Sequence, residues 1–185
     1  MCFGGGETLT KPGQDSVTGV GLNGDMSRQK YKKESEIGAS PEEVFAWHER
    51  EGAVERLTPP WERVEMVERA RDLRVGSRVV FRVFTGPVGQ TWVAEHTAYE
   101  PPHLFVDEQR RGPFAYWRHE HRFERTGRNT TRMIDEIEYE LPLGWLGEVF
   151  GGAFTRRKLE RMFEYRHRVV AEAFSGRSAD GDLER

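Results

Sequence analysis

The sequence predicts an α+β domain in which a curved, seven-stranded antiparallel sheet wraps around a long C-terminal helix, with two short helices after the first strand. Three observations carry this. Residues Phe105 to Leu141 alternate with a period of two, the signature of strands with one buried face. Clusters of turn residues separate six segments of strand character between Trp61 and Leu141, as hairpin connections require. From about Trp145 to Phe174 apolar residues recur instead at helical spacing.

Taken in order, Tyr31 to Ile37 reads as the first strand, with Tyr31, Lys33, Ser35 and Ile37 on one side. Helix one opens on a capping box: Ser40 caps, Pro41 suits the first helical position, and Glu43 sits three residues after the cap. Val44, Phe45 and Trp47-His48 supply its apolar stripe. A second short helix over Gly52–Leu57 stops before Pro59-Pro60, since a residue preceding proline is pushed out of the helical region.

The remaining strands are read at Trp61–Ala70, Ser77–Thr85, Gln90–Tyr99, Leu104–Arg111, Ala115–Arg125 and Thr130–Leu141. Breaks fall at Arg74-Val75-Gly76, Gly86–Gly89, Pro101-Pro102, Gly112-Pro113 and Gly127–Asn129. The terminal helix presents Leu146, Val149, Phe150, Ala153, Phe154, Leu159, Met162, Phe163, Val169, Val170, Ala173 and Phe174 on one face. Gly151-Gly152 weakens its start, each glycine costing about 1 kcal/mol relative to alanine. A single sheet must cover its apolar face, and only this helix is long enough to do so. The architecture is a helix-grip with a cavity between sheet and helix.

Composition narrows the function classes. A length of 185 residues with 36% hydrophobic content suits one domain with a real core. The 28 basic and 31 acidic residues leave a net charge of −3, which argues against a nucleic-acid binder. No apolar run approaches the ~18–20 residues of a membrane span. The single cysteine, Cys2, excludes an internal disulfide, and no secretory signal pattern opens the chain. A cytoplasmic protein is the expectation. Residues 1–28 hold 7 of the 20 glycines and read as a flexible leader; 29–174 read as the folded domain and 175–185 as a polar, flexible tail.

These residues resemble those of the SRPBCC superfamily, also called START or birch-pollen-allergen-like, which includes polyketide cyclases and lipid carriers. The resemblance rests on Ala39-Ser40-Pro41-Glu42-Glu43-Val44-Phe45, Leu57-Thr58-Pro59-Pro60-Trp61, Phe105-Val106-Asp107 and Gly112-Pro113-Phe114. It continues through Trp117-x-His119-x-His121-x-Phe123, Asp135 to Pro142, and Phe163-Glu164-Tyr165-Arg166-His167. It looks most like a bacterial subgroup that also occurs fused to a sugar-epimerase-like domain. The one Gly-x-Gly-x-x-Gly pattern, Gly19-Val20-Gly21-Leu22-Asn23-Gly24, lies in the glycine-rich leader with no predicted strand before it, so an epimerase-like partner would be a separate chain. The resemblance implies a container for a small hydrophobic molecule and leaves the chemistry open; a homo-oligomer stays open as well.

The inner polar groups are the candidate site. Trp117, His119, His121 and Phe123 share one face, and Thr131, Met133, Asp135, Ile137, Tyr139 and Leu141 form a second inward row. A turn centred near Arg128 sets His121 opposite Asp135 and His119 opposite Ile137. A turn near Pro113 sets Asp107 opposite His119 and Gln109 opposite Trp117. Facing side chains stand ~4.5–5.5 Å apart at Cβ, so two Asp–His pairs are expected, one on each register. His121 then suits a general base, with Asp135 fixing its tautomer, and the plainer reading is that the groups orient a ligand. The expected ligand-binding set is Phe81, Trp92, Asp107, Gln109, Trp117, His119, His121, Met133, Asp135 and Tyr139.

His119-x-His121 with Asp107 or Asp135 is also a conceivable metal pair. A structural zinc site usually takes four ligands, often cysteines, and no second histidine cluster is evident, so neither metal nor cofactor is expected. Either His96 and Trp92, or Glu95, Val93 and Thr97, face inward. Trp61, Trp92 and Trp117 stack on a planar ligand or build core. Arg166 and His167 are read as binding local carbonyls or carboxylates. An interaction surface on the Arg-rich terminal helix ranks last, because it leaves the inner polar row without a purpose. The functional expectation is binding of a polyketide-like, quinone or lipid molecule, with a cyclase or dehydratase using His121 and Asp135 as the alternative.

Overall fold

In a computed structural model the described residues are 28–176. The leader and tail read from the sequence lie outside them, apart from Arg28, Ser175 and Gly176. The elements are β1 (Gln29–Ile37), α1 (Pro41–His48), α2 (Ala53–Arg56), β2 (Val64–Glu68), β3 (Arg78–Thr85), β4 (Val88–Glu100), β5 (Leu104–Arg111), β6 (Tyr116–Gly127), β7 (Thr130–Glu140) and α3 (Trp145–Ser175). The seven strands form one antiparallel sheet in the order β1-β7-β6-β5-β4-β3-β2. With α3 covering its inner face, this is the helix-grip.

Helix α1 starts as the sequence dictates. The Ser40 hydroxyl accepts from the Glu43 amide at 3.4 Å, and the Glu43 carboxylate accepts from the Ser40 amide at 3.1 Å. The boundaries of β2 and β4 differ from the sequence reading. Strand β2 is only five residues long and its pairing with β3 shifts between Met66 and Glu68, so the expected Trp61–Ala70 strand is shorter at both ends. Strand β4 instead starts earlier: Thr85 pairs with Val88, which leaves Gly86-Pro87 as a two-residue turn. Gly86 supplies the positive φ of 61° that such a turn demands.

The buried face of α3 is Leu159, Phe163, His167, Val170 and Phe174, spaced by four, four, three and four. Phe154 and Leu146, expected on that face, are 69% and 41% exposed, and Phe154 borders the cavity between the sheet and α3. The side chains of Val149 and Phe150, expected there too, lie outside the described ones.

Two apolar clusters hold the domain. One gathers Ile37, Val44, Phe45, Trp47, Phe105, Phe123, Met133, Val170 and Phe174 around α1. The other gathers Tyr31, Trp117, Ile137, Tyr139, Leu141, Leu159 and Phe163. Each large side chain fully buried there contributes about 1.5–3 kcal/mol. Between the clusters, along four elements at once, the inward positions switch from apolar to polar. On β7 Asp135 separates Met133 from Ile137; on β6 His121 and His119 separate Phe123 from Trp117. On α3 His167 separates Val170 from Phe163, and on β1 Ser35 lies between Ile37 and Tyr31. A polar layer thus crosses the core.

Candidate functional site

Strand pairing builds that layer. His121 pairs with Asp135 and His119 with Ile137 across β6–β7, and Asp107 pairs with His119 across β5–β6, the registers read from the two turns. The side chains go further than one-to-one pairs. Asp135 Oδ1 accepts from His119 Nε2 at 3.0 Å and lies 2.7 Å from His121 Nδ1. Asp107 Oδ2 lies 3.3 Å from His121 Nε2 and 3.4 Å from His119 Nδ1. Each imidazole therefore meets both carboxylates, and the two rings lie 3.8 Å apart between centroids. Phe105 stacks on His121 at 4.0 Å and limits its rotation.

Asp135 has a third partner. His167 Nε2 donates to Oδ2 at 2.8 Å, and its Nδ1 lies 2.9 Å from the Ser35 hydroxyl, which can donate to it. His119, Asp135 and His167 are 3%, 5% and 2% exposed. Burial by itself would raise both aspartate pKa values; the imidazoles of His119 and His121 outweigh it and hold both well below the ordinary carboxylate range. For His121, burial pulls down and the two carboxylates push up; the carboxylates win, raising it to about 8.

One wall of the layer opens onto a cavity of about 440 Å³ between the sheet and α3. Phe81, Trp92, Ala94 and Trp117 line it from the sheet, and Leu159 and Met162 from α3. Its polar groups include Asp107, His121, His48, His96 and Arg166. Of the residues expected to touch a ligand, Phe81, Trp92, Trp117, Asp107 and His121 line this cavity. His119 and Asp135 stand behind the wall. Met133 and Tyr139 pack into the two apolar clusters, because their ends of β7 lie beneath α1 and against Trp117. Gln109 is taken up by the hairpin: its Nε2 donates to the Phe114 carbonyl at 2.8 Å and its Oε1 accepts from the Phe114 amide at 3.4 Å.

The open choice on β4 resolves to His96 and Trp92 facing inward. Trp61 lies outside the cavity, 46% exposed, with Tyr165 at 5.3 Å and Arg161 at 5.2 Å. Three residues gain a place that the sequence does not give them. Arg166 donates from Nε to the Leu57 carbonyl at 3.2 Å, 109 residues away in the chain rather than to a local group, and also lines the cavity. His167 reaches Asp135, and its spacing of four from Phe163 and three from Val170 is the signal that it faces inward. His48 lies four residues after Val44 on the buried face of α1, and its Nδ1 donates to the Val44 carbonyl at 2.8 Å. Burial lowers its pKa to about 4, so it is neutral at pH 7.

The ligating atoms of Asp107, His119 and His121 lie within 4.8 Å of one another. Among the described residues no helix is long and apolar enough to cross a membrane, which leaves β-barrel spans unaddressed.

Comparison with known proteins follows the same lines. The fold matches that of the Zhui aromatase/cyclase from Streptomyces sp. R1128 with a TM-score of 0.61 and 17% identity, covering 82% of this chain and 99% of that one. Norcoclaurine synthase from Thalictrum flavum, in complex with dopamine and hydroxybenzaldehyde, matches at 0.60 and 14% identity, over 94% of this chain and 99% of that one. A nucleoside-diphosphate sugar epimerase from Corynebacterium glutamicum matches at 0.57 and 26% identity over 77% of this chain. This chain spans only 28% of the epimerase's length. No curated protein sequence matches. Residues 37–164 match the family model described as polyketide cyclase / dehydrase and lipid transport, in agreement with the SRPBCC resemblance. That match covers most of the sequence, and the chain belongs to the polyketide cyclase / dehydrase and lipid transport family.

Proposed function

We propose that this protein binds a small, mainly apolar molecule of polyketide-like, quinone or lipid class, with a hydroxyl or enol at one end. The observation that carries this is the cavity, whose apolar lining is interrupted by His121 and Asp107. Apolar walls with few placed polar groups are the usual make-up of such pockets. Phe81, Trp92 and Trp117 receive the flat or aliphatic body. The Asp107 carboxylate accepts from the ligand hydroxyl and the His121 imidazolium donates to its oxygen. His119 and Asp135 act one step back, holding His121 and Asp107 in place.

Native mass spectrometry of freshly purified protein, followed by titration with 2-naphthol, a hydroxynaphthoquinone and a fatty acid, tests this through Trp92 and Trp117 fluorescence. Saturable quenching by one of the three is the expected result, lost when Ala94, which lines the cavity, is replaced by phenylalanine. Absence of both a copurified molecule and any quenching would remove the proposal.

A cyclase or dehydratase reading has one specific support, the 2.7 Å contact of His121 Nδ1 with Asp135. It fixes the ring while Nε2 stays toward the cavity wall, the arrangement a general base needs. In that role His121 takes a proton from a carbon flanked by carbonyls and returns it to the departing or newly formed oxygen. With its pKa raised to about 8, the base form grows as pH rises through 8, and turnover follows. Unchanged turnover of a cyclisable substrate by His121→Ala excludes this role.

A further inference from the structure

Three side-chain atoms converge where the polar layer meets the cavity, two from its wall and one, on His119, from behind it. Asp107 Oδ2 stands 3.4 Å from His119 Nδ1 and 3.3 Å from His121 Nε2. Charge-assisted N–H···O bonds fall at about 2.7–2.9 Å, so both contacts are long for direct pairs. They match two edges of a coordination tetrahedron, in which bonds of about 2.0–2.1 Å set neighbouring ligands roughly 3.3–3.4 Å apart, and all three atoms lie within 4.8 Å of one another.

The opposite ring nitrogens are both engaged elsewhere. His119 Nε2 and His121 Nδ1 meet the same oxygen of Asp135 at 3.0 and 2.7 Å. A carboxylate behind a ligating imidazole fixes its tautomer and aims the other nitrogen's lone pair. Here a single carboxylate serves two rings, and His167 holds its second oxygen at 2.8 Å. When His121 gives up its Nε2 proton and each ring keeps its proton on the Asp135 side, as metal binding requires, His119 Nδ1, His121 Nε2 and Asp107 Oδ2 become three acceptors facing one another. A cation is what such a set binds.

We propose that Asp107, His119 and His121 hold one divalent transition-metal ion, with Asp135 as their shared outer partner. Two imidazoles and one carboxylate suit Zn²⁺, Co²⁺ or Fe²⁺ rather than Ca²⁺ or Cu⁺. The ligands are rigidly placed, since Asp107 and His119 pair across adjacent strands and His121 follows on the same face. Three protein ligands leave coordination positions open, as in catalytic rather than structural sites, and Asp107 and His121 put those positions at the cavity. The sequence alone argues against a metal, for want of a second histidine cluster and of cysteines. Strand register pairs each histidine with one aspartate; contact of both histidines with both aspartates is what changes the conclusion.

The test needs no organic ligand and is separate from that of cavity binding. Full-length protein is stripped with EDTA, exchanged into chelator-free buffer and titrated with Co²⁺, followed by calorimetry and visible absorption. One equivalent should bind, with the intense d–d bands of a four- or five-coordinate ion, and Zn²⁺ should displace it. Asp107→Asn and His121→Gln should each weaken binding by about 100-fold or more, and Asp135→Asn by about 10–100-fold. His103→Gln, outside the cluster, should leave binding unchanged. Should a variant fail to fold, paramagnetic shifts in the wild-type amide spectrum locate the ion directly, and they should centre on residues 107, 119 and 121. Folded wild-type protein that takes up no Co²⁺ at millimolar concentration, or shifts centred elsewhere, overturns the proposal.

Discussion

His167 Nε2 donates to Asp135 Oδ2 across 2.8 Å, joining the terminal helix to a central strand through a buried charge. A hydrogen bond to a buried charged group contributes about 1.5–3 kcal/mol, and truncating a buried side chain adds the cost of the space it leaves. Asp135 keeps His119 and His121 when His167 is lost, so the low end applies to the hydrogen bond. His167→Ala should lower unfolding stability by about 3 kcal/mol, and the melting temperature by roughly 6–12 °C for a domain of this size. Combined with Asp135→Asn in a double-mutant cycle, the coupling should exceed about 0.5 kcal/mol. Additive losses would show that the helix is held by apolar contacts alone.

Much of this polar layer is legible in the amino-acid sequence. Period-two alternation on β6 and β7 determines which residues face inward, and turn chemistry sets the pairing of His121 with Asp135. The part that is not legible depends on contacts between elements far apart in sequence. His167 lies 32 residues from Asp135, and no local pattern says which strand its helix face meets. The outer limits of the cavity escape for a related reason. Alternation places Met133 and Tyr139 inward, yet whether inward means cavity or packed core depends on α1 and α3. Trp61 misleads through its aromatic character: β2 is a short edge strand, so Trp61 lies beyond the sheet. Helical periodicity likewise assigns Phe154 to the core, whereas it borders the cavity and stays 69% exposed.

The glycines near the start of α3 separate two effects that the sequence alone merges. A Cβ at Gly147 would collide with the Pro142 carbonyl oxygen and stand 3.2 Å from Leu141 Cβ. At Gly151 it would meet only Leu141 Cδ1 at an ordinary 3.6 Å. Gly151→Ala should therefore stabilise the protein by up to about 1 kcal/mol through helix propensity. Gly147→Ala should destabilise it, since a backbone carbonyl must move. Urea midpoints of the two variants shifting in the same direction would contradict this contrast.

Helix α1 carries both His48 and the Phe45 side chain of the first apolar cluster, and its start rests on the Ser40–Glu43 box. Ser40→Ala removes the acceptor for the Glu43 amide and should cost about 1 kcal/mol. Ser40→Asp restores an acceptor and should recover most of that loss. Equal stability of the alanine and wild-type proteins in urea would show that packing alone sets the helix start.

His48 links the cavity to pH. It packs against Phe105, Phe123 and His121, with Trp47 beside it on α1. Burial is the main cause lowering its pKa to about 4; the charges of His121 and His167 lower it further, while the Val44 carbonyl and Asp135 raise it. In the unfolded chain the same group titrates near 6.5. Between these values the unfolded state binds more protons, so stability rises with pH across the window and its gain is complete above about 6.5. The span corresponds to roughly 3 kcal/mol. Replacing His48 by glutamine removes this titration while leaving carboxylate contributions in place. The wild-type advantage over His48→Gln should therefore shrink by about 3 kcal/mol between pH 7 and pH 4. A difference that stays constant over that range would mean that His48 is hydrated, and that the wall between α1 and the polar layer is open to water.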